Sequence, residues 1–149
     1  MSNQQEIFEL AQKRSMENNF TYAGALTPLE AFEVLQSNPK VLLVDVRTQA
    51  ELDRVGRIPN ALNIEWAFYP GMVRNNNFSK ELSEKVDKNN IVIFICRTGG
   101  RSHNAAVVAE QLGFSNAYNM LEGFEGEANS LKQRTQINGW KHAGLPWTN

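Results

Sequence analysis

The chain has only one cysteine, Cys96, among its 149 residues. A single cysteine cannot close an internal disulfide, and it cannot supply a metal site built from several thiolates. The sequence therefore excludes a disulfide-stapled scaffold and a zinc site of the multi-cysteine kind. Two roles remain for Cys96, which are inert packing in the core and chemistry at the thiol.

Long apolar runs and an excess of charge of one sign are also missing. Fifteen basic and 16 acidic side chains give a formal net charge of -1, which offers nucleic acid and anionic lipid no overall attraction. The longest apolar runs, such as Val41 to Val44 and Ile91 to Cys96, have the length of strands, and no export signal is visible near residue 1. We therefore expect no nucleic-acid or membrane partner, and a cytoplasmic location.

Helical and strand patterns alternate along the chain, which is typical of the α/β class. Two of the expected strands are apolar throughout, and such strands are buried on both faces of a mostly parallel sheet. The patterns predict strands at Val41 to Val44, Ala61 to Ile64, Ile91 to Ile95 and Ala117 to Leu121, helices at Pro28 to Ser37, Gln49 to Val55, Ser79 to Val86 and Ser102 to Leu112, and irregular loops at 66–77 and 123–138.

The length of the chain favours one compact domain. Ile7, Leu10 and Ala11 have helical spacing and predict a short amphipathic helix from Glu6 to Met16. We therefore divide the chain into an N-terminal leader, residues 1–25, which is expected to be helical, and a single domain, residues 26–149.

Cys96 lies between a buried strand and a helix, at the carboxyl end of the strand, where open α/β sheets bind ligands. The alternative is that it is simply the last buried residue of the strand, because free cysteine is often buried. Its neighbours favour a site. Arg97 and Arg101 bring positive charge, and no acidic residue occurs between Cys96 and Ala109. Cationic groups and a helix N-terminus stabilise the nucleophilic thiolate.

The loop CRTGGRS, from Cys96 to Ser102, has the composition of an anion-binding loop. Gly99 and Gly100 allow successive backbone N–H groups to turn toward one point. Four residues separate Cys96 from Arg101, one fewer than in the Cys-x5-Arg loop of phosphatases. The shorter loop is better suited to a second, anionic sulfur on Cys96 than to a whole phosphate. Singly, the glycines could form a tight turn and the arginines could be solvated; together with the cysteine they predict a persulfide site.

These residues resemble the rhodanese family of sulfurtransferases. The resemblance implies a three-layer α/β/α domain with a central, mostly parallel sheet of about five strands. It extends from about Leu26 to Trp147 and rests on LLVDVRTQAEL (Leu42 to Leu52), GRIPNALNI (Gly56 to Ile64), the CRTGGRS loop, EGFEG (Glu122 to Gly126) and GWKHAGLPW (Gly139 to Trp147).

The resemblance implies a two-step transfer. The Cys96 thiolate takes the outer sulfur of thiosulfate or of another persulfide donor and holds it as a persulfide until a thiol, a protein thiol or cyanide removes it. Arg97 and Arg101 would orient the small anionic donor, and backbone N–H groups would hold the persulfide. No metal and no organic cofactor is implied. The implied substrate-binding residues are Arg97, Thr98, Gly99, Gly100, Arg101 and Ser102.

Several roles outside the loop stay open at this level. Asp45 and Arg47 either brace the loop from a neighbouring strand or form only a local ion pair. His103 is expected to be solvated or to cap the helix rather than to act as a general base. The aromatic segment from Trp66 to Phe78 is either packing or a wall of the pocket.

Three other functions compete with the sulfurtransferase. A persulfide carrier would use the same cysteine, and a rhodanese-like module that only binds a partner would not need it. A phosphatase or arsenate reductase is disfavoured by the length of the loop.

Overall fold

The computed structural model describes residues 3–149. In chain order the elements are helix α1 (Asn3–Glu17), strand β1 (Gly24–Leu26), helix α2 (Pro28–Ser37), strand β2 (Val41–Asp45), helix α3 (Gln49–Val55), strands β3 (Leu62–Asn63), β4 (Ala67–Phe68) and β5 (Val73–Arg74), helix α4 (Phe78–Lys85), strand β6 (Ile91–Ile95), helix α5 (Gly100–Gln111) and strand β7 (Ala117–Met120).

Five strands form one sheet in the order β1-β7-β6-β2-β3, and every pairing in it is parallel. At its centre β2 and β6 run in register from Val41 opposite Ile91 to Asp45 opposite Ile95. Because parallel strands end at the same edge, Cys96 and the residues after Asp45 emerge side by side. The predicted α/β class and the mostly parallel five-stranded sheet are confirmed.

The core has two clusters, one on each face of the sheet. Alternate residues of β6 point to opposite faces, so that Val92 and Phe94 join one cluster and Ile93 and Ile95 join the other. Helices α4 and α5 cover the first face, and α1 and α2 cover the second. Burial on both faces explains why this strand is apolar throughout.

Local sequence signals fix two helices. Thr27 caps α2 and Thr48 caps α3, and in each case a glutamate three residues later returns a hydrogen bond to the cap. Such reciprocal capping boxes satisfy N–H groups that the first turn of a helix leaves unbonded. The predicted helices from Pro28 to Ser37 and from Gln49 to Val55 are confirmed to the residue.

Other expectations were wrong in detail. The predicted loop 66–77 contains the antiparallel hairpin of β4 and β5. Helix α4 begins at Phe78, and its cap is Asn77, not Ser79. Helix α5 begins at Gly100, two residues before the predicted start. The N–H groups of a first helical turn have no partner within the helix, so a poor helix former such as glycine can occupy that turn. Strand β1 has only three residues and no alternating pattern to mark it.

Helix α1 packs onto the rest of the chain. Ala11 is fully buried, and Arg14 donates to the carbonyl of Ala25 and forms a two-point ion pair with Glu30 at 2.6 and 3.0 Å. The division of the chain at residue 25 stays a prediction, and β1 crosses that point. Within residues 3–149, no helix is long and apolar enough to cross a membrane.

Candidate active site

Cys96 follows β6 directly, and its own loop folds back over its sulfur. The Sγ atom accepts a hydrogen bond from the Gly99 N–H at 3.0 Å and one from the Ser102 hydroxyl at 3.3 Å. Both donors stabilise a negatively charged sulfur more than a neutral one. The residue is 1% exposed, so its sulfur faces the loop rather than open solvent.

Most backbone N–H groups from Arg97 to Ser102 have no hydrogen-bond acceptor among the described residues, and Gly99 is the exception. The carbonyl of Gly99 accepts from the His103 N–H at 3.1 Å and from Asn119 Nδ2 at 3.4 Å. Within residues 3–149, no protein acceptor is bonded to the backbone N–H groups of Arg97, Thr98, Gly100, Arg101 and Ser102. Unbonded backbone N–H groups in a loop and at the start of a helix can together bind an anion.

The EGFEG segment holds this loop in place. The Phe124 N–H donates to the Cys96 carbonyl at 2.9 Å, and the Glu125 N–H donates to the Arg97 carbonyl at 3.0 Å. Because a peptide group places its C=O and N–H on opposite sides, fixing these carbonyls turns the following N–H groups away from the segment. Gly123 is required here, since a Cβ atom on it would lie 2.5 Å from the carbonyl of Arg97.

The two loop glycines differ in their roles. Gly99 has φ = 112° and lies in the left-handed region, which residues with a Cβ adopt only under strain. Gly100 begins α5, and a Cβ on it would meet nothing within 4 Å. The turn therefore requires glycine at position 99, whereas at position 100 glycine leaves space open above the loop.

Arg101 is bound to a carboxylate from another element. Its guanidinium makes a two-point ion pair with Glu51 of α3, at 2.7 and 2.9 Å. Burial disfavours the charge on Glu51, but hydrogen bonds from Arg101 and from the Thr48 N–H outweigh that effect and hold the pKa of Glu51 below its ordinary value. Burial lowers the pKa of Arg101, but Glu51, with further contributions from Cys96 and Asp45, raises it, and the net shift is upward.

Arg97 is paired as well. Its Nε lies 3.2 Å from Oε2 of Glu125, and 46% of the Arg97 side chain is exposed. Carboxylates from α3 and from the EGFEG segment thus balance the positive charge that both arginines bring to the loop. The stretch from Cys96 to Ala109 could not reveal these partners, which come from other parts of the chain.

Asp45 and Arg47 form a buried ion pair beside the loop. Their side chains are 1% and 0% exposed, with Nη2 of Arg47 2.7 Å from Oδ2 of Asp45. Arg47 also donates to the Gly56 carbonyl at 2.9 Å, and its guanidinium lies 4.2 Å from the centre of the Phe124 ring. The backbone N–H of Phe124 donates to the Cys96 carbonyl, so Phe124 connects the Asp45–Arg47 ion pair to the Cys96 loop.

A cavity of about 360 Å³ opens beside the loop. The hairpin supplies one wall of it through Tyr69 and Met72, while Trp66 of the same segment packs on Phe78 with ring centres 5.0 Å apart. Both readings of the aromatic segment therefore hold, for different residues. The cavity is lined by Thr48, Glu51, Val55, Tyr69, Met72, Arg97, Arg101 and Glu125.

A larger cavity of about 550 Å³ lies elsewhere, among Phe32, Val41, Ile58 and Trp140. We place the candidate site at the smaller cavity, because only that one adjoins the Cys96 loop. Within residues 3–149, no group of three or more His, Cys, Asp or Glu is arranged to hold a metal ion.

His103 was expected to be solvated or to cap the helix, but it is half-buried and, in the part of the chain that the structure describes, its side chain makes no capping hydrogen bond to α5. Its Nδ1 lies 2.6 Å from the hydroxyl of Tyr22, and its ring packs edge-on against Phe20 and Tyr22. Burial raises the pKa of Tyr22 to about 12, with a smaller opposing effect from Asn119. The cluster of Phe20, Tyr22 and His103 connects the first turn of α5 to the residues before β1. Local sequence patterns do not predict such a contact between distant segments.

Fold and site together define an α/β domain that carries a cysteine loop at the carboxyl end of a central strand. The Rhodanese-like domain model matches residues 29–129, and the chain belongs to that family, which confirms the resemblance. The family is of the sulfurtransferase type. The match ends before the GWKHAGLPW segment.

Three proteins illustrate the similarity. A Mycobacterium tuberculosis protein of known crystal structure is 42% identical with a TM-score of 0.79, over 85% of this chain and 98% of that one. An uncharacterised Rickettsia prowazekii protein is 37% identical over 122 residues, 79% of this chain and 91% of that protein. A protein named sulfurtransferase from Allochromatium vinosum is 32% identical over 112 residues, 75% of this chain and 82% of its own length.

Proposed function

We propose that this protein transfers sulfane sulfur through a persulfide on Cys96, taking it from thiosulfate or an organic persulfide and giving it to a thiol or to cyanide. The supporting observation is the Gly99 N–H, 3.0 Å from Sγ, within a loop that holds further unbonded N–H groups. We also propose that it acts in the cytoplasm, where a lone thiol stays reduced.

The first half-reaction loads the cysteine. The Cys96 thiolate attacks the outer sulfur of the donor, a new S–S bond forms, and the electron pair of the old S–S bond leaves with sulfite or with the carrier thiolate. The terminal sulfur of the resulting persulfide is anionic. Unbonded N–H groups at the start of α5 and the positive end of its dipole stabilise that charge.

The second half-reaction returns the enzyme to its starting state. An acceptor thiolate or cyanide attacks the terminal sulfur, and Cys96 leaves as a thiolate that again accepts hydrogen bonds from Gly99 and Ser102. The same donors thus stabilise the nucleophile of the first step and the leaving group of the second. No net oxidation or reduction occurs, and neither step needs a metal.

A phosphatase is the weaker alternative. Its chemistry needs an arginine to bind the phosphate, and the carboxylate of Glu51 would compete with that phosphate for Arg101. A persulfide carrier would share the first half-reaction and differ only in its acceptor.

A turnover assay tests the proposal. Thiosulfate or glutathione persulfide is supplied with cyanide, and thiocyanate is measured for the wild type and for Cys96→Ser. We expect parallel double-reciprocal lines, the sign of a ping-pong reaction, and no turnover by the variant. Release of phosphate from an aryl phosphate without thiocyanate formation would instead support the phosphatase.

A further inference from the structure

The cavity beside the Cys96 loop has no net charge from the side chains that line it. Arg97 pairs with Glu125 and Arg101 with Glu51, and the remaining lining residues are uncharged. Lys141 is a further cation that interacts with Glu125, but its Nζ donates to the Val55 carbonyl at 2.7 Å and lies 3.9 Å from the centre of the Trp147 ring. A dianion entering this cavity would have to compete with two carboxylates for the arginines.

The outer wall of the same cavity is apolar and exposed. Tyr69 and Met72, at the tip of the hairpin of β4 and β5, are 66% and 47% exposed and line the cavity. An inorganic donor such as thiosulfate gains little from this surface, since it carries no apolar group. An organic carrier of the sulfur would cover this apolar surface on binding and remove it from water.

We propose that the preferred donor is a small organic persulfide, R–S–SH, whose carrier bears both carboxylate and ammonium groups, and that Glu51, Glu125, Tyr69 and Met72 set this preference over thiosulfate. This inference rests on the proposed function. The carboxylate of the carrier contacts Arg97 or Arg101, its ammonium group contacts Glu51 or Glu125, and its body covers the hairpin tip. A volume of about 360 Å³ suits a ligand of dipeptide or tripeptide size better than a five-atom ion.

Atoms, electrons and protons are all accounted for when Cys96 takes sulfur from this donor. The Cys96 thiolate bonds to the outer sulfur of R–S–SH, the S–S bond of the donor breaks, and R–S⁻ leaves with its electron pair. The proton of the donor stays on the transferred sulfur or passes to solvent, and R–S⁻ takes up a proton from water after release. The chain gains one sulfur atom and no co-reactant is consumed.

Donor competition tests the charge argument. With cyanide as acceptor, we expect kcat/KM for glutathione persulfide to exceed that for thiosulfate in the wild type. Glu51→Gln keeps the capping geometry of α3 and frees Arg101, so we expect it to raise kcat/KM for thiosulfate about tenfold and to lower that for glutathione persulfide. An unchanged ratio of the two donors in this variant would overturn the inference, as would a wild type that prefers thiosulfate.

The hairpin offers a matched pair of double variants. Tyr69→Ala with Met72→Ala removes the apolar wall, and Phe68→Ala with Val73→Ala removes two exposed residues of the same hairpin that do not line the cavity. We expect the first pair to raise KM for glutathione persulfide about fivefold, with little change for thiosulfate, and the second pair to change neither. Equal effects of the two pairs on KM would contradict the proposed role of the wall.

Failure of this inference differs from failure of the proposed function. If Cys96 takes up no sulfur from either donor, the sulfurtransferase itself is wrong. If it takes up sulfur from both with equal kcat/KM, the transfer stands and only the donor preference falls.

Discussion

The backbone N–H of Gly99 lies 3.0 Å from the sulfur of Cys96, three residues earlier in the same loop. This geometry depends on a residue that can hold φ = 112° at the N-cap of α5. It also depends on the EGFEG segment, which binds the carbonyls on the outer side of the loop. The site therefore rests on glycines as much as on the nucleophile, and glycine substitutions probe it directly.

Gly99→Ala and Gly100→Ala should have different effects on stability. A Cβ at Gly99 is forced into the left-handed region, which costs about 1–2 kcal/mol. At Gly100 it enters open space on a helix, where alanine is preferred to glycine. Urea unfolding should show a lower free energy of unfolding for the first variant and an equal or higher one for the second. Equal losses in both would contradict the assigned backbone geometry.

Gly123→Ala tests whether the EGFEG segment supports the cysteine loop. Gly123 and Gly144 have similar φ values, 71° and 78°, but a Cβ at 123 would lie 2.5 Å from the carbonyl of Arg97, and one at 144 would meet nothing within 4 Å. Gly144→Ala thus reproduces the backbone strain without the collision. We expect only Gly123→Ala to reduce sulfur uptake by Cys96 in protein that remains folded by circular dichroism. Full sulfur uptake by Gly123→Ala would contradict a supporting role of the EGFEG segment.

Arg47→Ala should be much more destabilising than Arg57→Ala. The first leaves Asp45 buried without its partner, at a cost of about 3–5 kcal/mol. The second breaks an exposed ion pair with Asp53 that contributes less than about 1 kcal/mol. Thermal or urea unfolding measures both. A small loss for Arg47→Ala would mean that the buried pair does not hold Phe124, and through it the loop.

Glu51 should make the stability of the protein depend on pH in the acid range. Its pKa in the folded state lies below the ordinary value of 4.5, so its ion pair with Arg101 contributes fully above that value and is lost as the pH falls through the folded pKa. The difference in unfolding free energy between the wild type and Glu51→Gln should be constant near neutrality and shrink below about pH 4.5. A difference that grows toward low pH would contradict the pairing.

Local patterns predicted those parts of the fold that local chemistry determines. Thr27 and Glu30 mark the start of α2, and the apolar run before Cys96 marks a strand buried on both faces. Strand β1 and the hairpin of β4 and β5 have two or three residues each, which is too short for a periodic pattern. They form because neighbouring strands or a turn complete them.

In the candidate site, too, the residues that are adjacent in the sequence could be predicted, and those contributed by distant segments could not. The cysteine, glycines and arginines of CRTGGRS stand together in the sequence, and the loop could be recognised from them. Glu51, 50 positions before Arg101, meets it only because parallel strands bring the end of β2 beside the end of β6. A count of charges along the chain could therefore not predict the charge balance of the cavity, on which the proposed donor preference depends.

Intact-protein mass spectrometry after incubation with a sulfur donor tests the central claim most directly. Wild-type protein treated with thiosulfate or glutathione persulfide, then freed of donor, should carry one additional sulfur atom that cyanide removes, and Cys96→Ser should carry none. Sulfur uptake by the variant, or none by the wild type from either donor, would contradict a persulfide on Cys96.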